Sequence, residues 1–184
     1  MKWRLFLIAI VFVVGCEQPH SKITYEPSAK QKLANEIRKK VAFQLKAEKD
    51  LIPSGSGGQM MDEIKMLALS FDYYKPIDID KGRKLLIEAV HEFVAAVNAD
   101  ERIRPYLGNY PFESRNIEIR IFLRNPNGSN PALGKLSVLS AIEDILEFDT
   151  HDPKTGRLTT LYTETFEEAV RVQRENLKKD KINL

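Results

Sequence analysis

The chain of 184 residues contains one cysteine, Cys16. No internal disulfide can form, so a folded domain must be held together by its own buried core. Residues 28–184 are of ordinary domain size, enough to bury about two-thirds of the unfolded surface without covalent or metal staples.

Cys16 sits at the end of a leader. Lys2 and Arg4 precede an unbroken apolar run at residues 5–14, and Gly15 supplies a small residue just before the cysteine. The run is about half the ~20 residues that cross a bilayer, and Glu17, Gln18, Pro19 and His20 follow at once. An ordinary secretory cleavage site carries small residues at −1 and −3, whereas Val13 stands at −3 here. The tetrapeptide Val13-Val14-Gly15-Cys16 resembles the lipobox of bacterial lipoproteins. The resemblance covers the first 16 residues and implies removal of residues 1–15 as a signal peptide. It also implies a diacylglyceryl thioether at Cys16 and a further acyl chain, such as palmitate, on the new amino terminus. Membrane lipid is then one partner, and residues 16–27 are a lipidated tether. The location implied is the bacterial cell envelope, facing periplasm or exterior. Each buried methylene contributes about 0.8 kcal/mol, and two or more chains anchor stably where one does not. The competing readings are a free thiol behind an ordinary leader and a short uncleaved anchor.

Charge narrows the partners. Of the 28 basic residues, Lys2 and Arg4 leave with the leader, which holds no acidic residue, so the remainder balances at 26 of each sign. The apparent basicity belongs to the targeting segment and gives no reason to expect nucleic acid.

Periodicity sets out the folded part. Residues 28–50 read as a helix with Leu33, Ile37, Val41 and Leu45 on one face and a lysine-rich face opposite. That basic face suits either solvent or anionic headgroups, and the interspersed Glu36, Glu48 and Asp50 favour solvent. Residues 53–58, Pro-Ser-Gly-Ser-Gly-Gly, read as a flexible joint before a core at residues 62–180. Residues 65–73 alternate as a strand, and Asp78 or Asp80 caps a second helix running to about Asn98. The stretch 100–114 is an irregular loop with two prolines and three aromatics, either a binding surface or a plug for the core edge. Residues 116–124 form the cleanest strand. Residues 136–149 read as one long or bulged strand, and a turn at 152–156 leads to a last strand at 157–163. Thr165 and Glu168 then form a capping box for a final helix. The expected fold is α+β: a two-layer sandwich with helices on one face of a mostly antiparallel four-stranded sheet.

Chemistry-bearing residues are sparse. Asp149-Thr150-His151-Asp152 is the densest titratable cluster. It could bind a metal or work as acid and base, but it runs into a turn, where such residues satisfy backbone donors. Neighbouring side chains on a strand also point to opposite faces. His91 reads as an exposed partner of Glu88. No histidine pair has metal-ligand spacing, no phosphate-loop lysine follows the glycines, and no nucleophile elbow is present. No cofactor, metal or catalytic residue is assigned. Tyr106, Tyr110, His151 and Asp152 are the surface-site candidates. The leading expectation is an acyl-anchored envelope lipoprotein that binds or scaffolds an envelope protein or surface ligand without catalysis. The alternatives are a small envelope hydrolase whose site forms only in three dimensions, and a surface-displayed cell-contact protein.

Overall fold

The computed structural model describes residues 26–182. The leader, Cys16, His20 and the tether as far as residue 25 lie outside the described residues. No helix among those described is long and apolar enough to cross a membrane.

The described residues form an α+β fold, with three α-helices and one six-stranded mixed sheet. The elements are α1 (Ala29–Lys49), β1 (Ile52–Gln59), β2 (Met66–Tyr73), α2 (Ile79–Ala99), β3 (Ile117–Leu123), β4 (Val138–Ile142), β5 (Ile145–His151), β6 (Leu158–Thr165) and α3 (Phe166–Ile182). Strands lie in chain order from β1 to β6. Among the described strands only β2 and β3 pair in parallel, joined by the α2 crossover. The four-stranded expectation is corrected in two places.

The first correction is the glycine-serine stretch, which is strand β1, the edge strand paired antiparallel to β2. A ladder needs backbone groups rather than side chains, and β2 supplies the template. Gly58 adopts φ +152°, and a Cβ there would lie 2.4 Å from the Met66 carbonyl oxygen. Arg38 of α1, itself buried, donates from Nη1 to the Gly57 carbonyl at 2.6 Å and ties the strand to the helix layer.

The second correction splits the long strand. Glu143 and Asp144 both take positive φ, 49° and 65°, as the two central residues of a tight hairpin. The turn reverses which parity faces inward: Leu139 and Ala141 are buried on β4, then Leu146 and Phe148 on β5. A single strand over 136–149 would have carried one parity through and mixed the two faces.

The inner face of the sheet carries Leu67, Leu69 and Phe71 of β2 and Ile117, Ile119, Ile121 and Leu123 of β3, all buried in one cluster with the helices. In that layer α2 lies between α1 and α3, touching both. Ser28 caps α1 in a reciprocal box with Gln31, Asp78 caps α2 through the Lys81 N–H, and the Thr165–Glu168 box opens α3. At the start of α2, Gly82 allows close approach to the sheet: a Cβ there would sit 3.1 Å from Leu139 Cδ1 and 3.2 Å from Phe148 Cε1.

Candidate functional site

The parallel pair leaves a crevice. Both β2 and β3 end at the same edge of the sheet, and α2 starts there; ligands of α/β units bind at such carboxyl ends. A cleft of about 1120 Å³ occupies this position. One wall is the β2–α2 connection and first turn of α2, residues 75–81; the other is the β3–β4 connection, residues 123–126, 131–132 and 134–136.

Leu161 completes the lining from β6. It is there because β6 carries an extra residue: Phe148 pairs with Tyr162 and Asp149 with Thr160, leaving Leu161 unmatched. Bulges of this kind re-aim a side chain and recur beside binding sites. The β3–β4 wall is built by local bonding. Asn125 N–H donates to Ser129 O at 2.8 Å, and Gly134 N–H donates to the buried Thr150 hydroxyl at 2.8 Å, pinning the loop to β5.

The charged groups of the cleft divide into engaged and free. Asp78 accepts from the Lys81 backbone, and Asp80 is ion-paired with Arg83. Lys75 pairs with Asp50 at 2.6 Å, and Arg124 donates to Asp72 at 3.1 Å and to Asn130. Among the described residues no carboxylate stands within ion-pair distance of the Lys81 or Lys135 ammonium. Between these cations the walls are apolar, chiefly Ile77, Ile79, Leu123, Leu136 and Leu161. Among the described residues no histidine, cysteine, serine or tyrosine lines the cleft.

Beneath it lies a group that sequence reasoning missed. Arg83 of α2 and Glu164 of β6 are both buried and meet at 2.6 Å. The Arg83 guanidinium also stands 5.9 Å from the Tyr162 ring centre, and the Tyr162 hydroxyl donates to Glu164 at 3.5 Å. Burial opposes the charge on Arg83, but hydrogen bonds to Glu164 and Asp80 outweigh it and hold its pKa above the ordinary value. The available signal was Glu164 itself, the one charged residue in an otherwise uncharged strand.

The four candidate residues separate into two pairs. Tyr106 and Tyr110 follow the end of α2, where Leu107 bridges to Ile64 ahead of β2. His151 and Asp152 stand at the opposite end of the sheet, about 20 Å away for strands of this length. Tyr106 accepts from Ile64 N–H through its backbone carbonyl at 2.7 Å, and the exposed Tyr110 ring lies 4.8 Å from the Arg104 guanidinium carbon. Phe112 and Ile103, from the same loop, are buried in the core, and the Asn98 side chain brackets Phe112 through both backbone groups.

Asp152 accepts from Lys154 N–H at 2.8 Å and the Thr155 hydroxyl at 2.9 Å, bonds that hold its carboxyl below the usual range. His151 Nδ1 lies 3.4 Å from Asn130 Nδ2 of the β3–β4 connection, and neither residue lines the cleft. His91 stacks edge-on against Phe166 at 5.4 Å, while Glu88 pairs with Lys49 at 2.9 Å. Among the described residues no group of three or more acidic, histidine or cysteine side chains is placed to hold a metal ion.

Comparison with protein-family models, with curated proteins and with solved structures finds no match to this chain.

Proposed function

We propose that this chain is an acyl-anchored lipoprotein of the bacterial cell envelope whose folded domain is a non-catalytic binding module. Lipids on Cys16 hold it at a membrane, and residues 16–27 let the domain reach its ligand. The observation that carries the binding role is the cleft at the carboxyl ends of β2 and β3. It is concave, walled mainly by apolar side chains and rimmed by a few polar groups, the build of a recognition site. Among the described residues its two carboxylates are committed to a helix cap and to Arg83, leaving neither as a free acid or base. The anchor reading rests on the lipobox resemblance alone.

Two experiments test the two halves separately. Cys16→Ser should abolish incorporation of an acyl label and leave the leader uncleaved; a variant that still matures and stays with membranes refutes the anchor. For the module, a photo-cross-linking residue in living cells at position 132, in the cleft wall, should capture a ligand that the same probe at position 110 does not. Capture only at 110, or equally at both, would move the binding surface away from the cleft.

A further inference from the structure

We infer that the cleft takes an amphiphilic anion, a phosphate or carboxylate head on an apolar body. The inference rests on the cleft being the binding surface proposed above, and it adds the chemistry of the ligand. Two observations carry it. The first is the division of charge: Asp78 and Asp80 are engaged, whereas Lys81 and Lys135, on facing walls, meet no carboxylate among the described residues. An ammonium recruits an anionic head as a point charge without requiring one planar geometry, so both phosphate and carboxylate suit it.

The second is the surface between the lysines. Ile77 and Leu136 come from opposite walls, and the bulge in β6 adds Leu161, 46% exposed, to the same recess. Uncovered apolar surface inside a concave site gains by contact with an apolar body rather than with water. A small hydrophilic anion would leave that surface wet, and a neutral amphiphile would leave the two ammonium groups unmatched. About 1120 Å³ accommodates a head together with a chain or ring system.

The test uses the mature chain, residues 16–184 made without the leader and carrying Cys16→Ser, so that neither acyl chains nor the apolar leader competes, and reads backbone amide shifts by NMR. Octyl phosphate and octanoate are the anionic probes, separating the two kinds of head; n-octanol and inorganic phosphate supply the body alone and the head alone. At least one anionic probe should bind saturably, moving amides within residues 75–81 and 123–136 and at Leu161. Octanol and inorganic phosphate should each bind at least about tenfold more weakly, the scale of one charge-assisted contact. The double variant Lys81→Gln, Lys135→Gln changes exposed side chains and should keep the fold. It should weaken the anionic probe about tenfold while leaving octanol unchanged. Octanol binding as tightly as the anions, or a double variant that binds them unchanged, overturns the inference. So does the absence of saturable binding by either anion up to about 5 mM, the weak end of ligand affinity. Cross-linking at position 132 in cells alongside any of these results would retain the binding module and remove only the ligand class.

Discussion

Arg83 and Glu164 stand 81 residues apart in the chain, yet their side chains meet at 2.6 Å inside the protein. The pair ties the first turns of α2 to the outermost strand β6, whose other residues are exposed. It therefore lies where the helix layer meets an open sheet edge, directly below the cleft lined by Asp80 and Leu161. A buried ion pair adds little net stability over an apolar pair, but losing one member strands the other.

Replacing one partner should accordingly be severe. Glu164→Leu leaves a buried guanidinium holding only Asp80, and Arg83→Met leaves a buried carboxylate; each should cost about 3–5 kcal/mol. The double replacement Arg83→Met, Glu164→Leu should recover most of that loss. Urea denaturation of the four proteins completes the cycle. Additive losses in the double variant would show that the pair contributes through packing, not charge.

Much of the framework was legible from the chain. The stripe Ile37, Val41 and Leu45 is buried on α1, the cap at Asp78 starts α2, and the Thr165–Glu168 box starts α3. These signals are local, set by residues three or four apart. What escaped depended on distant partners. The glycine-serine stretch has no apolar pattern, and only the ladder with β2 and the clamp from Arg38 make it a strand. The hairpin at Glu143-Asp144 lacks the glycine or asparagine that normally marks two positive-φ positions, so β4 and β5 ran together. The cleft was illegible because its walls come from segments about 50 residues apart and its floor from a bulge. Tyr106, Tyr110, His151 and Asp152 stand out in the sequence by chemical type alone, and topology sends them to opposite ends of the sheet.

Strand β3 offers a direct test of the layer arrangement. Ile119 and Ile121 are fully buried against the helices, whereas Arg120 points to the open face and pairs with Glu118 at 2.8 Å. Ile119→Asp or Ile121→Asp should unfold the domain, because an unpaired buried carboxylate costs several kcal/mol. Arg120→Asp should cost about 1 kcal/mol or less, the worth of an exposed pair. Circular dichroism melts discriminate the two; equal losses would mean that the open face is covered.

The edge strand β1 makes a sharper local prediction. Gly58→Ala forces a Cβ to within 2.4 Å of a backbone oxygen at a φ that only glycine favours, and should destabilise by about 1–3 kcal/mol. Gly57→Ala, one residue earlier, meets nothing closer than the Ala68 side chain at 3.8 Å and should be neutral or slightly stabilising. Hydrogen exchange at the β2 amides should rise in the first variant only. A stretch that behaved as a flexible joint would tolerate both changes equally.

Glu92 predicts a pH dependence with a definite sign. Among the described residues its buried Oε2 meets no hydrogen-bond partner, and burial, followed by repulsion from Glu48, raises its pKa above 4.5 despite the attraction of Lys49. Below pH 4.5 the carboxyl is protonated in both folded and unfolded chains and exacts no penalty. As pH climbs from there to the raised folded value, the unfolded chain gives up its proton first, so this group progressively destabilises the fold, and the penalty then levels off. Glu92→Gln removes the titration while keeping size and polarity. The variant should be more stable than the parent at pH 7, and the difference should shrink towards zero as pH falls to about 4. Chemical denaturation of both proteins across that range measures the difference curve directly. A variant less stable at pH 7, or a gap that does not vary with pH, would mean that the Glu92 carboxylate is satisfied in the folded protein.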